Sequence, residues 1–230
     1  MPYQQKSGLC FCLGAEKLKY PLLLFDFDGT IADSIHLGMR IANNLAPGLG
    51  IEPITAAQFA QARTMSIPKA LKMLKVPFYK VPKAITLALS EYRHLIHELE
   101  PVPQIPEMLQ ELSLIQCPTA LLTSNTQENV RHFLAQHNLN YFTWIEGTSG
   151  ILKKHSSIRK QIKKHSLKKE DVIYVGDEVR DIVAARKSGI RIISVSWGFH
   201  TTDLLSSEDP DYLVERPEQI VQIVKSLAEP

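Results

Sequence analysis

The chain has 230 residues, 44% of them hydrophobic and 22% charged, with 26 basic against 24 acidic side chains. That size suits one sizeable domain, or a core domain carrying a smaller insert, and the composition excludes disorder as the main state. A net charge of +2 supplies no long-range field that calls for nucleic acid or an anionic membrane, and three cysteines cannot build a disulfide framework or a four-ligand zinc site. The expectation is a cytoplasmic protein, monomer or homodimer, with no nucleic-acid and no membrane partner.

In chain order, residues 1–19 read as an N-terminal extension that includes Cys10 and Cys12. Leu22-Leu23-Leu24-Phe25 then forms an apolar run of strand length that ends abruptly in Asp26. Thr119 to Thr123, Val172 to Gly176 and Ile190 to Val195 repeat that form, with weaker strand candidates at Phe142 to Glu146 and near Tyr212-Leu213-Val214. Continuous apolar strands signal a parallel sheet covered on both faces. Helical patterns fall between them at Ile105 to Leu114, Gln127 to Gln136, Ser156 to His165 and Arg180 to Lys187. The alternation predicts an α/β fold with a doubly wound parallel sheet.

The stretch from Ser34 to Pro103 breaks that rhythm. It has no convincing strand, and Pro47-Gly48, Pro53, Pro68, Pro77 and Pro82 split its helical stretches. Lys83 to Leu99 carries Ile85, Leu89, Tyr92, Leu95, Ile96 and Leu99 at the spacing of one helix face. The organisation expected is a core domain over 20–33 and 104–230, with a smaller all-helical cap over 34–103 inserted after the first strand.

Ligands of open α/β sheets bind at the carboxyl ends of the strands. There stand Asp26 and Asp28, Thr123 and Ser124, and Asp177. Asp26 and Asp28 are two residues apart on extended chain and can point the same way. Grouped carboxylates are costly without a cation or a shared proton, and an all-oxygen set suits Mg²⁺.

These residues resemble the haloacid dehalogenase superfamily, in its phosphoglycolate-phosphatase-like branch with a helical cap. Phe25-Asp26-Phe27-Asp28-Gly29-Thr30 matches its Asp-x-Asp-Gly-Thr motif, Leu121-Leu122-Thr123-Ser124-Asn125 its second, and Gly176-Asp177-Glu178-Val179-Arg180-Asp181 its fourth. The third motif, a lysine at a helix start, matches Lys153 or Lys154; these are about 100° apart on a helix, so only one can aim at the pocket. Setting Gly147 to Leu152 beside such relatives favours Lys154.

The resemblance implies a Mg²⁺-dependent phosphatase acting on a small phosphorylated metabolite, phosphoglycolate-like or a sugar phosphate. Asp26 would be the nucleophile and Asp28 the acid and base. Mg²⁺ would be held by Asp26, Asp28 through its backbone carbonyl, and Asp177, with Asp181 supporting from behind. Thr123 and Lys154 would hold phosphoryl oxygens, with Gly29, Thr30, Ser124 and Asn125 around them. Arg63, before Pro68, resembles a cap-loop residue that would grip a substrate carboxylate or phosphate.

The same residues also serve a phosphomutase of the β-phosphoglucomutase type. A non-enzymatic, phosphorylation-switched module is the reading from another class. His94 and His97 lack a third ligand, the basic run from Lys153 to Lys169 reads as a solvated helix face, and Trp144 and Trp197 are expected to pack the sheet edges.

Overall fold

A computed structural model describes residues 18–147 and 154–228. Cys10, Cys12 and Lys153 lie outside the described residues. Strands β1 (Leu22–Phe25), β2 (Thr119–Thr123), β3 (Ile145–Gly147), β4 (Val172–Gly176), β5 (Arg191–Val195) and β6 (Tyr212–Val214) form one sheet in the order β3-β2-β1-β4-β5-β6. Every pairing is parallel. The strand order reverses at β1, which pairs with β2 on one side and β4 on the other. That reversal opens a crevice at the carboxyl ends of these three strands.

Side chains alternate across the sheet. Leu23, Phe25, Leu121, Ile173 and Val175 lie in one apolar cluster, and Leu22, Leu24, Leu122, Val172 and Tyr174 in another. The first cluster is completed by α5 (Ile105–Leu114), α6 (Gln127–Gln136) and α10 (Glu218–Ala228), through residues such as Leu109, Phe133 and Val224. The second takes Ile158 from α7 (Lys154–Lys164), Ile182 from α8 (Val179–Ser188) and Leu205 from α9 (Thr202–Ser207). Burial on both faces is why the strands read as unbroken apolar runs.

Between β1 and β2 the chain forms an all-helical cap from α1 (Ile35–Leu49), α2 (Ala56–Ala62), α3 (Ile67–Met73) and α4 (Val81–Leu95). Its two linkers run side by side: Asp33 N–H donates to Glu100 O at 3.0 Å, and Val102 N–H to Ile31 O at 2.9 Å. One proline expectation is corrected here. Helix α1 continues through Pro47 and stops at Gly50, whose φ of 58° allows the left-handed turn. Pro47 stands in the last turn, where it forfeits one hydrogen bond instead of splitting the helix. Pro82 lies in the first turn of α4, where its missing N–H has no intrahelical partner to lose. That helix then ends at Leu95, and Ile96–Glu98 tighten into a 3₁₀ turn short of Leu99.

Trp144 does precede edge strand β3, stacked on His165 with ring centroids 4.5 Å apart. Trp197 follows the interior strand β5 and is no edge residue; its indole N–H donates to Thr30 O at 3.2 Å. His94 and His97 are exposed, as are Arg159, Lys160, Lys163 and Lys164 on α7. Among the described residues no helix is long and apolar enough to cross a membrane.

Candidate active site

β1 delivers Asp26 directly after Phe25, with the Asp26 N–H donating to Val175 O of β4 at 2.8 Å. The chain then closes a tight turn in which Ile31 and Ala32 N–H both donate to Phe27 O. Gly29 takes φ 73° in that turn, and a Cβ there would stand 2.3 Å from Asp177 Oδ2. Glycine is therefore required by backbone conformation and by space. Ser34 Oγ accepts the Gly29 N–H at 3.1 Å and ties the turn to the start of α1.

Asp26, Asp177 and Asp181 are all buried, and each offers a carboxylate oxygen within 4.8 Å of the others. Lys154, at the start of α7, is the buried member of that helix's basic run. Its ammonium lies 2.5 Å from Asp26 Oδ2 and 2.5 Å from Asp181 Oδ1. Burial opposes its charge, but Asp181 and Asp26 prevail and hold the proton well above the usual lysine range. Asp181 also caps α8, accepting the Glu178 N–H at 3.1 Å. The structure thus brings Asp181 beside Asp26 and Asp177, with Oδ1 on the Lys154 ammonium and Oδ2 on the Glu178 N–H.

Asp28 is turned away from that group. Its Oδ1 accepts the Tyr92 hydroxyl at 2.7 Å, and its Oδ2 accepts Asn125 Nδ2 at 3.2 Å. Burial pushes the Asp28 carboxyl up, while the Tyr92 hydrogen bond pulls it back. Tyr92, from α4 of the cap, is a contact of Asp28 that sequence pattern does not reveal, since it reads as one apolar-face residue among six. No local pattern ties a hydroxyl to a carboxylate 64 positions away.

Thr123 ends β2 fully buried, and its Oγ1 accepts the Asn125 N–H at 2.9 Å, which leaves its own hydroxyl hydrogen to donate. Ser124 is half-buried beside it. Asn125 Oδ1 accepts from Asn129 Nδ2 at 2.9 Å, which fixes the amide so that its nitrogen faces Asp28. Thr30 Oγ1 donates to Asp177 Oδ1 at 3.1 Å, and Phe199 N–H donates to Asp177 Oδ2 at 2.7 Å.

Arg63 departs from its expected task. Its Nε donates to Phe199 O at 2.7 Å and one terminal nitrogen to Gly198 O at 2.9 Å. The guanidinium is engaged with backbone carbonyls of the core and is not among the residues lining the cleft between cap and core. That cleft, about 260 Å³, has Asp28, Asp177 and Glu178 on the core side and Ile35, Met39 and Phe59 on the cap side. A larger cavity of about 480 Å³, lined by Lys169, Arg186 and Arg191 among others, holds none of these residues.

The donor set fits a hard divalent cation. Asp26, Asp177 and Asp181 supply only oxygen ligands. Burial pushes Asp177 well above the usual carboxylate range, with Glu178, Asp181 and Asp26 adding repulsion. Such excess negative charge is what a bound cation relieves.

A family model for haloacid dehalogenase-like hydrolases matches residues 23–195, all four motif positions included. The chain belongs to the haloacid dehalogenase-like hydrolases. This hydrolase is similar to the phosphoglycolate phosphatase of Synechococcus elongatus, with 29% identity over 206 residues that cover 89% of this chain and 97% of the relative. It is also similar to the phosphoglycolate phosphatase of Vibrio parahaemolyticus, with 24% identity over 217 residues, 88% of this chain and 95% of the relative. Among solved structures, a haloacid dehalogenase-like family hydrolase from Streptococcus pneumoniae superposes with a TM-score of 0.74 at 24% identity, covering 89% of this chain and 98% of that one, which shows a shared fold.

Proposed function

We propose that this hydrolase is a Mg²⁺-dependent phosphatase of a small phosphorylated metabolite, phosphoglycolate-like or a sugar phosphate, working through an aspartyl phosphate on Asp26. The observation that carries this reading is the separation of two carboxylates from one motif into different surroundings. Burial pushes the Asp26 carboxyl up, but the Lys154 ammonium pulls it back towards the charged, nucleophilic form, whereas Asp28 is held apart by the neutral partners Tyr92 and Asn125. Two acids with divided environments are what nucleophile and acid–base roles require.

In the first step an Asp26 carboxylate oxygen bonds to phosphorus as the ester P–O bond breaks. Asp28, whose carboxyl burial pushes up, gives its proton to the leaving oxygen. In the second step Asp28 takes a proton from water as that water attacks phosphorus, which frees Asp26 and inorganic phosphate. Thr123, with a hydroxyl hydrogen to give, and the Lys154 ammonium bind the phosphoryl oxygens. Mg²⁺, held by Asp26, Asp177, Asp181 and the Asp28 carbonyl, would screen repulsion between carboxylate and phosphate. The small cleft and the cap over it exclude bulk water and limit the leaving group.

The test is phosphate release from a panel containing phosphoglycolate, sugar phosphates and p-nitrophenyl phosphate, with Mg²⁺ and with EDTA. Turnover is expected with Mg²⁺ only, and Asp26→Asn, which keeps the shape but removes the charge, should lose several orders of magnitude with the fold intact. Activity surviving chelation, or unchanged in Asp26→Asn, refutes the reading.

A further inference from the structure

The turn after β5, Gly198-Phe199-His200-Thr201, touches Asp177 on one side and the cap on the other. On the core side, Phe199 N–H donates to Asp177 Oδ2 at 2.7 Å and His200 N–H to Asp177 O at 3.3 Å. The Gly198 backbone lies so close that a Cβ there would stand 2.0 Å from Asp177 Cβ. Peptide groups of this turn therefore set both the position and the direction of the Asp177 carboxylate.

On the cap side, the Arg63 guanidinium holds the carbonyls of Gly198 and Phe199, and Thr201 N–H donates to Arg63 O at 3.2 Å. The rings of Phe59 and Phe199 meet edge to face with centroids 6.1 Å apart. His200, buried, closes the connection: Nδ1 accepts the Val179 N–H of α8 at 2.9 Å, and Nε2 donates to Met65 O at 3.1 Å. One short turn thus receives the cap loop and passes its position to a carboxylate of the metal cluster.

We infer that Arg63 and His200 are positioning residues that act through the Gly198–His200 turn on Asp177, so that metal affinity depends on the cap being docked. This rests on the Mg²⁺ reading of Asp26, Asp177 and Asp181. The guanidinium grips two consecutive carbonyls at once, which a single ammonium cannot copy in geometry. Loss of Arg63 frees the Phe199 peptide to rotate, and the N–H that orients Asp177 Oδ2 rotates with it. Partners one step removed from a metal ligand commonly contribute about 10–100-fold in metal affinity. The arrangement joins cap docking to assembly of the metal site, and a protein with its cap displaced would hold Mg²⁺ weakly.

The experiment is Mg²⁺ titration by calorimetry on EDTA-stripped full-length protein, without substrate. Arg63→Ala and His200→Ala should each weaken Mg²⁺ about tenfold. His200→Gln, which keeps an acceptor and a donor, and Arg63→Lys, which reaches one carbonyl, should fall between Ala and wild type. The double variant should lose less than the product of the singles, because both act on one turn. Lys80→Ala, which removes a cap contact to Leu49 and Gly50 carbonyls away from the turn, should bind Mg²⁺ as wild type does and controls for general loosening of the cap.

In turnover, raising Mg²⁺ should restore kcat to Arg63→Ala with little change in substrate KM. Wild-type Mg²⁺ affinity in Arg63→Ala and His200→Ala overturns the inference alone. A raised KM that Mg²⁺ does not correct returns Arg63 to gripping substrate. Absence of Mg²⁺ binding in the wild type overturns the metal reading and this inference with it.

Discussion

The sheet of the core and the outer helices of the cap differ in how much apolar surface they bury. Strands β1, β2 and β4 are buried at every position, and apolar clusters fill both faces of the sheet. In the cap, α1 buries Leu37, Ile41, Ala46 and Leu49, and Leu37, Ile41 and Tyr92 continue the first apolar cluster of the core, whereas α2 buries only Ala62 and α3 only Ala70. Core stability therefore comes from apolar area removed from water. At the rim of the site, the cap's seat rests on specific polar contacts: Tyr92 on Asp28, Arg63 on the Gly198 and Phe199 carbonyls, and His200 on Met65 O.

The sharpest test of that contrast is a pair of truncations. Phe133 is fully buried in the core and packs edge to face on Phe27 with centroids 5.1 Å apart. Phe133→Ala should cost about 3–5 kcal/mol in urea unfolding, whereas Leu87→Ala, at an exposed cap position, should stay within about 0.5 kcal/mol. Equal losses would show that the cap is packed like the core.

Tyr92→Phe tests the polar side of the contrast. It removes one hydroxyl from Asp28 and leaves the ring in its buried place. A hydrogen bond to a charged group is worth about 1.5–3 kcal/mol, so kcat should fall about ten- to a hundredfold. The loss should be larger for an alkyl phosphate than for p-nitrophenyl phosphate, whose phenolate leaves without a proton. Equal losses on both substrates would reduce Tyr92 to packing.

The smallest effect is expected where the second linker re-enters the core. There Gln104 adopts a left-handed φ of 69° before α5. Gln104→Gly should relieve that backbone cost and raise stability by up to about 1 kcal/mol in thermal unfolding. A decrease would show that the Gln104 side chain makes up for its backbone.

Local pattern alone determined the sheet's interior and the residues at its rim. Apolar runs ending in Asp26, Thr123 and Asp177 specify buried parallel strands whose carboxyl ends meet, because burial on two faces leaves no alternation and the strand ends are where the chain next finds solvent. Helices α5 and α6 run over Ile105–Leu114 and Gln127–Gln136 as their periodicity predicts. The motif likeness reached Lys154 before the structure placed it between Asp26 and Asp181. Only the tertiary structure decided that Tyr92 reaches Asp28, that Arg63 grips a core turn, that His200 joins that turn to the cap, and that Pro47 is carried inside a helix. Periodicity records which face of an element is apolar. It does not record which polar atom of a distant element that face will meet, because such contacts form only after the chain has closed over long separations and packing has fixed their geometry.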